Sequence, residues 1–151
     1  MNFNFQPEKM GTQSPGIVTI TGLVTTGVAG VVSSSNIPGG GASIAKTAAK
    51  TGRYTITLAL PTTPNPGVAL SNLTFLGGFA GVLGPDDTAM TAAKGLFGIF
   101  RDDDISTTGA KDGTIELQFV RYNGTTDVAD TELQDNASFY FTIFVGCPSV
   151  T

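Results

Sequence analysis

Three consecutive carboxylates, Asp102, Asp103 and Asp104 in "RDDDIS", form the densest group of hard-cation ligands in the chain. Oxygen donors in such a run suit calcium. A calcium loop counted from Asp102 needs a glycine at its sixth position and a bidentate glutamate at its twelfth. Those positions hold Thr107 and Gly113, so the pattern fails. A solvated turn after a strand is expected there, with some other cation geometry at Asp102–Asp104 as the alternative. A pair of acids flanking a sugar could cleave a glycosidic bond. Glu116, however, falls on an outward strand position and Glu132 in a loop, and nothing in the sequence brings them together. Histidine is absent, which removes the Ser-His-Asp and Cys-His arrangements and most zinc sites. Cys147 is the sole cysteine, so it has no partner for an intramolecular bridge and no imidazole to activate it. The glycine-rich "GGGAS" at Gly39–Ser43 lacks the Lys-Ser/Thr pair of a phosphate loop. No catalytic, cofactor-binding or metal residue is therefore assigned, and a protein that is not an enzyme is expected.

The elements that would position any such group are strands. Short apolar runs alternate with Gly, Pro, Asn and Thr along the whole chain, as in all-β sandwiches and barrels. "RYTITLAL", Arg53 to Leu60, alternates strictly: Tyr54, Ile56, Leu58 and Leu60 on one side, Arg53, Thr55, Thr57 and Ala59 on the other. That period of two predicts one buried and one wetter face. "GTIELQFVRY", Gly113 to Tyr122, repeats it, with Ile115, Leu117 and Phe119 inward and Thr114, Glu116 and Gln118 outward. Further strands are expected at Ile17–Thr21, near Val68–Leu76, near Leu96–Arg101 and at Ser138–Val145, with weaker signals at Val28–Val32 and Ser43–Ala45. Glycines 77, 78, 81 and 84 predict a bulge or close backbone approach rather than a long regular strand. "SSSNIPGGGAS", Ser33 to Ser43, reads as a flexible loop. One short helix is expected at most, after Pro85, capped by Asp86 or Asp87 and ended by Gly95. Residues 1–151 make one all-β domain, an antiparallel β-sandwich or barrel-like fold with long loops. Residues 1–15 are read as an N-terminal arm.

Hydrophobic residues are 40% of the 151 and charged residues 13%, against about 25% charged in an average soluble domain. Either part of the surface is covered in the working state, or the surface is polar but uncharged. The net charge of −4 is spread without a basic run, which disfavours nucleic acid and anionic membranes. No signal-peptide pattern and no membrane-length apolar run occurs, so synthesis in the cytoplasm is the default expectation.

The last strand has two greasy sides. Phe139, Phe141, Ile143 and Val145 share one; Ser138, Tyr140, Thr142 and Phe144 share the other. A two-layer protein needs only the first for its core. Tyr140, Thr142 and Phe144 are then either covered by a loop such as Asn123–Asn136 or form a contact with another protein.

"TGRYTITLAL" (Thr51 to Leu60) followed by "DGTIELQFVRYNGTTDVADTELQDNASFYFTIFV" (Asp112 to Val145) resembles small structural proteins of tailed bacteriophages. Gly52, Tyr54 and Leu58 match a mid-chain strand of that style; Asp127 with Asp130, and Phe139 to Val145, match its ending. The resemblance covers roughly the C-terminal two-thirds. It implies a capsid decoration, or cement, protein made in the host cytoplasm and carried on the virion surface, with the major capsid protein as partner and a homo-oligomer, a trimer above all, as its form. Candidate contacts are Tyr140, Thr142 and Phe144, with Phe3 and Phe5 of the arm. The alternatives are a receptor- or glycan-binding domain of a head or tail fibre, for which Tyr122 and Asn123 offer one loop pair, and a tail-associated subunit. No cofactor is implied.

Overall fold

The computed structural model describes residues 16–38, 41–58, 74–83, 96–102, 113–122, 128–130, 133 and 135–147. Nine strands cover most of them: β1 (Gly16–Thr26), β2 (Val32–Asn36), β3 (Ala42–Lys46), β4 (Arg53–Leu58), β5 (Thr74–Leu83), β6 (Leu96–Asp102), β7 (Thr114–Tyr122), β8 (Val128–Asp130) and β9 (Ser138–Cys147). A short 3-10 turn, Val28–Gly30, follows β1. The helix expected after Pro85 lies outside the described residues, as does the arm with Phe3 and Phe5.

The strands form two antiparallel sheets. The first runs β2-β1-β9-β5 and the second β3-β4-β7-β6. β7 carries β6 along one edge, while β4 and the short β8 share the other, pairing with Thr114–Gln118 and Val120–Tyr122. The inward sides expected for β4, β7 and β9 are the buried ones among the described residues; Ala59 and Leu60 lie outside these, and on the outward side of β7 Glu116 is buried as well. Tyr54, Ile56 and Leu58 of β4 meet Ile115, Leu117 and Phe119 of β7 and the odd-numbered side of β9, Phe139 to Val145. Ile20 and Val24 of β1, Ile44 of β3 and Leu133 complete this core.

Its centre is aromatic. Tyr54, Phe119 and Phe139 come from three strands in two sheets, with ring centroids 4.9–5.9 Å apart in tilted or edge-on contact. Such geometry adds to what burial alone provides. The Tyr54 hydroxyl, buried with its ring, donates to the Gly30 carbonyl at 2.9 Å, so the polar tip is satisfied. The same turn is fastened from two more sides: Asp135 Oδ1 accepts from the Ala29 amide at 3.1 Å, and Lys46 Nζ donates to the Ala29 carbonyl.

Three expectations are corrected. Ser33–Asn36 is no loop but the edge strand β2, held by pairing to Leu23–Thr26; it is exposed on both sides and so carries no apolar period. β1 extends through Gly22 to Thr26 instead of stopping at Thr21, because β9 offers ten residues of continuous pairing. β5 is a long strand despite its glycines. It pairs with β9 from Thr74 to Leu83 and breaks register once, at Leu76, where the predicted bulge occurs.

Candidate functional site

Strand β9 sits between β1 and β5, so its even-numbered side chains look away from the core. The register places Thr19 and Thr21 of β1 opposite Phe144 and Thr142, and Leu23 opposite Tyr140. On the other flank Gly77, Phe79 and Gly81 stand opposite Phe144, Thr142 and Tyr140. Directly opposite residues share a face, so these side chains form one outer surface. Phe79 lies 6.4 Å from Tyr140 and 6.3 Å from Phe144, centroid to centroid, making an aromatic trio across two strands. Phe79 is 51% exposed and Tyr140 42%. Ile17, Leu23, Leu76 and Leu83 are exposed around them. Thr142 is buried in the middle by its neighbours, and Phe144 is half-buried.

The described parts of the Asn123–Asn136 segment do not cover this surface. β8 is paired with β7 in the other sheet, Leu133 is in the core, and Asp135 and Asn136 bond the end of β1 and the following turn. Among the described residues, then, nothing covers the even-numbered side of β9.

Two glycines shape the surface. A β-carbon at Gly81 would stand 2.6 Å from the Tyr140 ring, so the bare backbone at 81 is the bed on which that ring lies. Gly77, next to the bulge, has φ +137°, a region that disfavours side chains, and a β-carbon there would meet nothing within 4 Å. The bare backbone there leaves open space beside the Phe79 ring.

Charge is distributed with the same asymmetry. None of the residues of β1, β2, β5 and β9 is ionisable as Asp, Glu, Lys or Arg. Every charged residue among those described lies elsewhere: Lys46, Arg53, Arg101, Asp102, Glu116, Arg121 and Asp130 on the second sheet, Lys50 and Asp135 in turns.

On the outer side of that second sheet, Glu116 is 5% exposed and accepts from two arginines through the same oxygen. Arg101 Nη2 is 2.9 Å from Oε1, directly opposite on β6, and Arg53 Nη1 is 3.3 Å away, diagonally across on β4. This Glu116 is a clamp between three strands. Removing both cations strands a carboxylate with little water around it. Arg53→Ala with Arg101→Ala is expected to lower the unfolding free energy by about 2 kcal/mol, less than a fully buried pair would lose because Arg101 is 60% exposed. Adding Glu116→Gln should recover part of it. Urea unfolding of the double and triple variants checks both, and a triple variant no more stable than the double would contradict the clamp.

Of the other sequence candidates, Asp102 ends β6, while Asp103, Asp104, Glu132 and Asn123 lie outside the described residues. Among the described residues no group of three or more His, Cys, Asp or Glu could hold a metal ion, and no helix is long and apolar enough to cross a membrane. An open hollow of about 540 Å³ lies between Ala29, Val31 and Val32 on one side and Ile44 to Ala49 on the other. Its lining is mostly alanine and valine, and its one ammonium, Lys46, is engaged by the Ala29 carbonyl. Such a wall offers shape but no convergent polar groups.

Sequence reasoning found Tyr140, Thr142 and Phe144 but missed Phe79, Leu83 and Leu76, which complete the surface from β5. The signal was present as "GGFAGVL", where glycine and large apolar residues alternate on one face. Comparison of the chain with protein-family models, with curated proteins and with solved structures finds no match.

Proposed function

We propose that the chain is a non-enzymatic virion structural protein, a decoration protein that binds the outside of a phage capsid and stabilises it. The observation that carries this reading is the outer face of the β2-β1-β9-β5 sheet: uncharged across four strands, with an aromatic trio of exposed Phe79 and Tyr140 and half-buried Phe144. Interface centres are depleted in charge and enriched in aromatics, while enzyme sites gather polar and titratable groups. A structural protein that works by assembly needs the first and not the second. Assembly would also stabilise its fold by mass action. The resemblance of the Thr51–Leu60 and Asp112–Val145 segments to small tailed-phage structural proteins supplies the class of partner, a major capsid protein, and a homo-oligomer as the working form.

The test is sedimentation with capsids that lack the protein. Saturable co-sedimentation at a fixed copy number per capsid, with a raised temperature of capsid rupture, is expected. Protein left in the supernatant at every concentration would overturn the reading.

A further inference from the structure

We infer that the outer face of the β2-β1-β9-β5 sheet is covered by a second copy of this chain rather than by the shell. This rests on taking that face as an assembly surface and names its occupant.

The first argument is charge. An average soluble domain carries about 25% charged residues, most of them on its surface. Docked on this face, such a surface would lose water from its charges with no opposite charge to pair them. A second copy brings an equally uncharged face, so neither side strips a charge. Face-to-face packing also leaves the charged second sheet of each copy outermost.

Area is the second. The three long strands β1, β5 and β9 run about 33 Å and the five-residue β2 about half that, so at about 4.8 Å spacing the face has a footprint of about 550 Å² before side-chain relief is counted. Standard stable interfaces take about 600–1,000 Å² of accessible surface per partner, and the relief of the side chains brings this face to the lower end of that range. The face is large enough for a stable pair of copies.

Relief is the third. Packed sheets interdigitate side chains across about 10 Å. This face offers both parts to itself: the projecting Phe79 ring and the open space over the bare backbone of Gly77, two residues apart on one strand. A related copy can seat ring in open space on both sides.

The experiment is light scattering after size exclusion, over about a hundredfold range of concentration around the micromolar affinities of weaker assemblies. Wild type is expected at an integer multiple of 15.5 kDa. Phe79→Ser with Tyr140→Ser should run at one copy with its circular dichroism unchanged, while Phe97→Ser, on the outer side of the second sheet, should leave the assembly intact. A wild type that is monomeric throughout overturns the inference, and so does a folded double variant that still assembles. If the double variant does not fold, Thr21→Asp, at an exposed position of the same face, decides in the same way. Capsid sedimentation of the same samples separates the two readings. Multimers that ignore capsids sink the decoration function alone; monomers that bind them sink the self-packing alone.

Discussion

Phe139→Ala is expected to be the most damaging single change in the chain, lowering the unfolding free energy by about 3–5 kcal/mol. Phe139 is fully buried on the central strand of the first sheet. Its ring touches both other members of the aromatic centre, Tyr54 at 4.9 Å and Phe119 at 5.0 Å. Those rings belong to the facing sheet, so truncation removes the main contact holding the layers together. The neighbours cannot collapse into the space. Tyr54 is tethered by its hydroxyl to the Gly30 carbonyl, and Phe119 is fixed by β7, paired on both edges. A cavity that cannot close carries the upper end of the usual cost. For a domain with a total stability of about 5–15 kcal/mol, this approaches the threshold of folding. Denaturant unfolding measures it; a loss under about 1.5 kcal/mol would mean that the two sheets are held together elsewhere.

Thr21→Asp should have the largest effect on assembly and almost none on the fold. Thr21 is exposed on β1, directly opposite Thr142, at the middle of the uncharged face. In the single chain the new carboxylate stays in water, so the unfolding free energy changes by no more than about 1 kcal/mol, the span of strand propensity. In a face-to-face pair it is stripped of water and meets no cation. A penalty of about 4 kcal/mol for such a charge corresponds to about a thousandfold loss of affinity. The contrast with Phe139 separates two roles on adjacent strands. Sedimentation equilibrium gives the association constant, and an unchanged constant would remove this face from the interface.

The division of β9 into a core side and an outer side was legible because strands alternate strictly, and nothing else in the chain can bury Phe139 to Val145. β4 and β7 were legible for the same reason. Ser33–Asn36 was not. An edge strand exposed on both sides is specified mainly by backbone pairing, here with one bond from the Ser33 hydroxyl to the Thr25 carbonyl, and its side chains carry no apolar period. β5 was misjudged because glycine normally marks a break, whereas here the rings of β9 fill the space that Gly81 leaves. The Glu116 clamp could not be read at all. Arg53, Arg101 and Glu116 are far apart in sequence, and only the registers of β4, β6 and β7 bring them together. The outer face was half legible: three residues on β9 were visible, while the β5 half depended on knowing which strand pairs with β9.

Hydroxyl-radical footprinting of the intact wild-type protein tests most directly whether this face is covered. Phe79 and Tyr140 on the outer face and Phe97 on the second sheet have comparable exposure in the single chain. Phe97 is thus an internal reference. The account predicts that Phe79 and Tyr140 are modified several-fold more slowly than Phe97 at concentrations where the protein assembles, and that Thr21→Asp removes the difference. Equal modification of all three in the wild type would contradict it, because the face would then stand open to water.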